Sequence, residues 1–295
     1  MFRIMFPISL GVYLLKTSGW LDPLSVFLEP LMRLVGLPGS MAIVWFSTIL
    51  TGLYGGIISL ASVGTPLSQA QVTVLGILML MAHSLPVEVR LTQMAGLSAL
   101  YMLLLRFLGA LLFGGILHLL LSYTGWLSGP AYSFWHGEPV ASWSAWLTQE
   151  LWTYLKIFGV IFGLLAFIKF LHRFHLDTLF NTLLAPVLKP LNLSPAISPA
   201  MTVGLLLGLS YGGGLILKDA QSGQLSRRDI LVGLSFIALC HCLIEDTLLT
   251  LSIGGHIGAL LWGRIIFSYM VVWTLSKTLN YIPHEKSLRS RYASE

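Results

Sequence analysis

The run Cys240-His241-Cys242-Leu243-Ile244-Glu245-Asp246-Thr247 is the densest group of reactive side chains in the chain, and apolar sequence surrounds it. Thiol, imidazole and carboxylate groups this close together can bind a cation, hold a proton or hydrogen-bond a polar solute. On a helix, His241 and Glu245 share a face at i, i+4, as do Cys242 and Asp246. Adjacent carboxylates in apolar surroundings are costly unless paired, protonated or hydrated, which makes Glu245 and Asp246 candidates for substrate or proton binding. The competing reading is a buried structural pair with Arg264 or Arg106. A second polar group, His83 with Glu88, stands in similar surroundings. Arg106 and Arg264 sit inside apolar runs such as Leu103-Leu104-Leu105-Arg106-Phe107-Leu108. An arginine cannot shed its proton there, so each needs a carboxylate partner or an anionic ligand.

His241, Cys242 and Asp246 are also metal-ligand types. Yet Cys240 and Cys242 point about 200° apart on a helix, at ~100° per residue, and no zinc-site spacing is present. Neither a resident metal nor a cofactor is expected. There is no P-loop, Gly-x-Ser-x-Gly or His-Glu-x-x-His motif, so an enzyme is not expected. The two cysteines are too close for an ordinary disulfide and say nothing about the redox compartment.

The elements that position these residues are membrane elements. Only 17 Lys+Arg and 12 Asp+Glu occur in 295 residues, or 10% charged, against about 25% in a soluble domain. The 54 residues from Leu34 to Val87 carry no charge. This excludes a water-soluble enzyme, a disordered chain and a nucleic-acid binder. The net charge of +5 reads as positive-inside bias on a lipid-embedded protein. The length allows roughly six to ten membrane segments. The apolar run up to Leu15 has no small-residue cleavage site and is followed by Lys16, so it is read as the first membrane helix.

The chain also repeats itself. Tyr54-Gly55-Gly56 recurs as Tyr211-Gly212-Gly213, and Leu67-Ser68 as Leu225-Ser226. At one constant offset of 158, His83 matches His241, Glu88 matches Asp246, Gly96 matches Gly254 and Arg106 matches Arg264. Pro30 and Pro186 match just upstream. The organisation is therefore a first repeat 1–122, an external loop 123–147, a second repeat 148–280 and a cytoplasmic tail 281–295. Each half reads as an apolar helix (2–19, 148–171) and an amphipathic interfacial stretch (20–36, 174–191) carrying Pro23, Pro30, Pro186 and Pro190. A long apolar helix (40–63, 199–217) and a polar turn follow. Next come two short apolar pieces around the polar cluster (72–96, 229–254), and then a final long helix (98–121, 257–280). Pieces of about a dozen residues are too short to cross ~30 Å, so they predict a re-entrant hairpin, with full spanning as the rival. The Tyr-Gly-Gly pairs predict kinks or close helix packing.

Residues 122–147 hold no Lys or Arg, include Glu138, and carry Trp126, Trp135, Trp143 and Trp146 as expected interfacial anchors; they are placed outside. Lys277, Lys286, Arg289 and Arg291 place the C-terminus in the cytoplasm. Lys169, His172, Arg173 and Lys189 agree, whereas Lys218, Arg227 and Arg228 do not. Each half then crosses three times. The fold expected is an all-α polytopic membrane protein with two inverted repeats, re-entrant or broken helices and interfacial amphipathic helices, the signature of secondary transporters.

Ser210-Tyr211-Gly212-Gly213-Gly214, the His241–Thr247 cluster and Gly254-Gly255 resemble the nucleoside recognition, or Gate, family of membrane proteins. That family includes spore maturation proteins A and B, the membrane part of ferrous-iron transporter B, and relatives of concentrative nucleoside transporters. The resemblance covers 38–121 and 198–280. It implies a multi-spanning protein of the bacterial inner membrane with a transport role. The chain holds no GTPase domain of the kind a full iron transporter carries. Pro86-Val87-Glu88 stands where the second copy has Ile244-Glu245-Asp246, so the two tips differ.

The expected function is a permease for a small polar, anionic or nucleoside-like solute, working by alternating access with proton coupling. The expected partners are the solute, the bilayer and further copies of the chain. Its binding residues are His83, Glu88, Arg106, His241, Glu245, Asp246 and Arg264. The alternatives are a divalent-metal permease and a non-transporting membrane scaffold.

Overall fold

The computed structural model describes residues 2–135, 142–173 and 189–281, and every regular element among them is helical apart from one isolated bridge between Ser68 and Pro130. Glu138, the stretch 174–188 with Pro186, and the tail from 282 with Lys286, Arg289 and Arg291 lie outside the described residues. Three helical stretches are long and apolar enough to cross a bilayer: Gln69–Met94, Ala99–Thr124 and Gly258–Leu279. The protein is an all-α, multi-span membrane protein.

The first half contains α1 (Phe2–Thr17), α2 (Leu21–Arg33), α3 (Met41–Thr51), α4 (Leu53–Val63), α5 (Gln69–Met81), α6 (Leu85–Met94) and α7 (Ala99–Thr124). The second contains α8 (Trp143–Arg173), α9 (Ser198–Leu207), α10 (Leu209–Gln221), α11 (Arg227–Leu239), α12 (Glu245–Ser252) and α13 (Arg264–Tyr281), the last preceded by a π-helical turn, Gly258–Gly263. As expected, α2 is one amphipathic helix, and its Glu29 and Arg33 face each other at 3.6 Å.

Two expectations exchange places. The expected long helix at 40–63 is a tight helical hairpin. Ser47 donates to Ser59 across 3.3 Å, and the hydroxyls of Ser40 and Thr65 are 3.2 Å apart, so α3 and α4 run antiparallel. The turn is Gly52, whose φ of 95° lies in the region that only glycine enters freely. In the second half Gly208, at φ 110°, turns α9 back into α10. A Cβ on Gly212 would stand 2.3 Å from the Cα of Gly204, although eight residues of straight helix span about 12 Å.

The expected re-entrant pieces instead continue end to end. Ala70 bonds to the carbonyl of Leu127 (2.8 Å), Arg106 Nε to that of Met81 (2.9 Å), and Arg106 to Glu88. Thus α5 and then α6 descend the whole length of α7 as one broken helix. In the second half α11 lies against α13, with Arg228 on Ser276 (2.7 Å), and α12 lies against the π-helical turn that precedes α13. The physical reason is in the backbone. The polar cluster interrupts helical hydrogen bonding for only three to five residues, enough for a kink, whereas Gly52 and Gly208 reverse the chain.

The two halves share local detail at matched positions. Ser68 and Ser226 both form capping boxes, with Gln71 and Asp229. Ser84 and Cys242 both adopt left-handed backbone, at φ 49° and 47°. A Cβ on Gly52 would meet the oxygen of Ser84 at 2.8 Å, and one on Gly208 the sulfur of Cys242 at 2.8 Å. Each hairpin tip therefore rests on the break of its own broken helix. Along one flank, α1 lies beside α4, its Lys16 ammonium donating to the carbonyls of Ser62 and Val63. The tryptophan expectation divides: Trp126 and Trp143 are exposed, but Trp135 and Trp146 are buried. Trp135 donates to Ser252 (2.6 Å), and Trp146 packs on Tyr13 with ring centroids 4.8 Å apart.

Candidate functional site

The two helix breaks meet. His83 Nε2 and His241 Nε2 are 2.9 Å apart, and both side chains are buried. Each imidazole is fixed by the helix it follows. His83 Nδ1 lies 3.1 Å from the carbonyls of Met79 and Leu80, and His241 Nδ1 lies 3.0 Å from that of Ile237. These are carbonyls in the last turn of a helix, which accept and cannot donate. Each Nδ1 therefore carries the proton and donates it, so in the neutral imidazole each Nε2 presents a bare lone pair. Two lone pairs 2.9 Å apart repel unless a cation, either a proton or a metal ion, stands between or beside them.

Carboxylates complete the group. Glu88 Oε1 lies 3.4 Å from His241 Nε2 and 3.6 Å from His83 Nε2, and Asp246 Oδ2 lies 3.7 Å from His83 Nε2. Both acids belong to the first turn of a helix, α6 and α12, where unpaired amides and the helix dipole favour negative charge. One broken helix thus supplies two devices. Carbonyls at the end of its first piece set the imidazole tautomer, and amides at the start of its second piece support the carboxylate.

Behind Glu88 stands Arg106, with no exposed surface, its guanidinium bonded to the other carboxylate oxygen of Glu88 and to the Met81 carbonyl. Arg264, at the matched position, is equally buried, yet none of its three nitrogens has a hydrogen-bond partner. Asp246 Oδ2 has none either. The π-helical turn ends immediately before Arg264, where the first half has regular helix. Such insertions often mark functional positions.

The residues expected from the sequence fall into groups. His83, Glu88, His241 and Asp246 converge, with Arg106 and Arg264 behind them. Glu245 is set apart and receives a hydrogen bond from the Tyr54 hydroxyl at 3.3 Å, which ties the first hairpin to α12. The matched Tyr211 is 66% exposed. Gly55 and Gly56 pack on Thr51 and Thr48 across the hairpin, while Gly212 and Gly213 pack on Gly204 and Leu91. The pairing of His241 with Glu245 and Cys242 with Asp246 on one helical face does not form, because α12 begins only at Glu245. Cys242 turns its sulfur toward Gly208. Among the described residues, the group whose donor atoms could jointly hold a metal is His83, Glu88 and His241, all within 4.8 Å of one another. Repeat spacing identified these residues singly, but no spacing within either copy reveals a site shared between the two. Sequence reasoning missed Gly52 and Ser84 and reads Gly208 only as a small residue for close helix packing; each glycine stands among others in its apolar run (Gly55 and Gly56, Gly204 and Gly212), so no single one marks the turn.

Residues 1–98 match the family described as Gate, nucleoside recognition. The match includes His83 and Glu88 and stops short of Arg106 and of the whole second copy. Over 282 residues, covering 94% of this chain and 89% of its relative, the chain is 26% identical to Uncharacterized membrane protein YvoD of Bacillus subtilis (strain 168). No solved structure matches.

Proposed function

We propose that the chain is a permease of the bacterial inner membrane that binds a divalent metal cation at His83, His241, Glu88 and Asp246. The observation that carries this reading is the opposed pair of Nε2 lone pairs with carboxylates around it. A tetrahedral metal with bonds of about 2.0–2.1 Å sets its donors about 3.3–3.4 Å apart. The distances here, 2.9, 3.4, 3.6 and 3.7 Å, scatter around that value. A shared proton would explain the imidazole pair alone. It would not explain two carboxylate oxygens turned to the same point, one of them without a partner. The organic or anionic solute expected from the sequence draws support from the family's description and from Arg264, but the converging atoms are donors to a cation.

The architecture fits transport. We read α1, α5–α6 and α7 as three crossings and α8, α11–α12 and α13 as three more, with hairpins α3–α4 and α9–α10 entering from opposite faces. The halves are then inverted repeats whose hairpin tips and helix breaks meet at mid-membrane, the arrangement of alternating-access carriers. On this reading the whole chain is a Gate-family protein, with both copies in one polypeptide and its C-terminus in the cytoplasm.

The test is metal titration of the purified protein in nanodiscs after chelation. Zn2+, Mn2+ or Fe2+ should raise the unfolding temperature and bind at one ion per chain. His241→Ala and Glu88→Gln should abolish both effects, and proteoliposomes should take up the same ion. Failure of all three ions to bind or stabilise overturns the reading.

A further inference from the structure

We infer that Arg264 is a competing internal partner for Asp246, so that the Asp246–Arg264 ion pair and metal binding exclude each other; this rests on the metal reading above. The inference comes from a difference between two otherwise matched positions. In the first half the acid is glutamate. Glu88 reaches two places at once, one oxygen toward both imidazoles and the other on Arg106. In the second half the acid is aspartate, shorter by one methylene. Asp246 points an oxygen at His83 and leaves Arg264 without a hydrogen bond. A buried guanidinium whose three nitrogens, with five N–H donors between them, meet no carboxylate or carbonyl oxygen is costly. Arg264 has no exposed surface, so no solvent-filled space adjoins it. Its partner must therefore come from a neighbouring side chain in another conformer. Cys240 and Ser268 lie beside it but are neutral. Among the described residues, the carboxylate with an unused buried oxygen at the position matched to Glu88, the partner of Arg106, is Asp246. The short side chain must choose: toward the imidazoles it is a metal ligand, and toward Arg264 it releases the metal. Glu88 is the fixed ligand of the site and Asp246 the exchanging one.

The experiment measures Zn2+ dissociation constants of the full chain in nanodiscs for wild type, R264Q, D246E and the double variant. If Arg264 holds Asp246 in nine of ten metal-free molecules, the apparent affinity is reduced about tenfold. R264Q should then tighten Zn2+ binding about tenfold in the wild-type background. In the D246E background the longer acid bridges both partners as Glu88 does, and R264Q should change binding less than about threefold. Equal tightening in both backgrounds means that Arg264 acts only through its positive field. That result overturns the proposal while leaving the metal site standing. Absence of Zn2+ binding in the wild type removes both. Should D246E fail to fold, association kinetics serve instead. The wild-type rate should saturate with Zn2+ concentration, because the ion pair must open first, and the R264Q rate should stay linear. Linear rates in both overturn the proposal.

Discussion

Replacing Arg106 with methionine isolates the electrostatics of the site, because methionine keeps most of the volume and removes the charge. Arg106 is fully buried, bonded to Glu88 and to the Met81 carbonyl. Removing one partner of such a pair leaves an uncompensated buried charge and costs about 3–5 kcal/mol. For a chain of this size 1 kcal/mol corresponds to roughly 2 °C, so the unfolding temperature of the metal-free protein should fall by about 6–10 °C. The double variant R106M/E88Q should recover most of that loss, since no charge is then stranded. Metal supplies a second, independent rescue. An ion at a hundred times its dissociation constant stabilises the folded state by about 2.7 kcal/mol. In R106M it also replaces the missing counter-charge of Glu88, so its stabilising effect should exceed that in the wild type. The assay is thermal unfolding in nanodiscs, with and without Zn2+, for the two variants and the wild type. If R106M unfolds at the wild-type temperature, or if adding E88Q makes it worse, Glu88 is not held as the charged partner of Arg106. The account of the site then fails.

Gly52→Ala should destabilise by about 1–3 kcal/mol, because it places a side chain at φ 95° and a Cβ 2.8 Å from Ser84 Oγ; thermal unfolding checks it, and Gly208→Ala should behave alike. Gly212→Val should cost more, since even a Cβ would stand 2.3 Å from the Gly204 backbone; loss of folded protein on size-exclusion chromatography is the readout. Tyr54→Phe removes a single hydrogen bond to Glu245, worth about 1 kcal/mol, and should leave Zn2+ affinity unchanged while altering uptake rate in proteoliposomes. Single cysteines at Gly129 and Ser222 should react with a membrane-impermeant maleimide from opposite faces of the membrane, and labelling from one face would refute the inverted topology.

Matched spacing in the sequence singled out the side chains that the structure brings together, His83, Glu88, His241 and Asp246. A constant offset between His83 and His241, Glu88 and Asp246, and Arg106 and Arg264 marks positions that share local backbone setting, even though the two arginines end with different partners. The structure gives that setting: the same capping serines, the same left-handed residue after each histidine, the same first-turn acid. What the spacing could not convey is direction. The apolar run around Gly52 looks like one long helix, and the two short apolar pieces around His83 look like a hairpin. One reverses at a single glycine, the other kinks through a polar cluster, and the polar cluster resembled the turn. Hydrophobic periodicity reports which face is apolar, and it is blind to whether the next helix continues or returns. The contact between His83 and His241 was hidden for a related reason, because it exists only once two helix breaks 158 residues apart in the chain are brought together.

On the metal-permease reading proposed above, the composition of the site argues for passage rather than storage. A structural zinc site takes thiolates and imidazoles in a closed shell and holds the ion as part of the fold. Here each carboxylate has an arginine assigned to it, Glu88 with Arg106 in contact and Asp246 with Arg264 nearby. With neutral imidazoles these four charges already sum to zero. On that reading an arriving divalent ion would gain two imidazole lone pairs and two carboxylates whose field is largely cancelled, and would add two positive charges in a low-dielectric interior. Binding is weaker than four ligands alone would give, and every step that returns Asp246 to Arg264 weakens it further. A site meant to retain its ion would dispense with the arginines. A site that must let the ion leave toward the other face has a use for both.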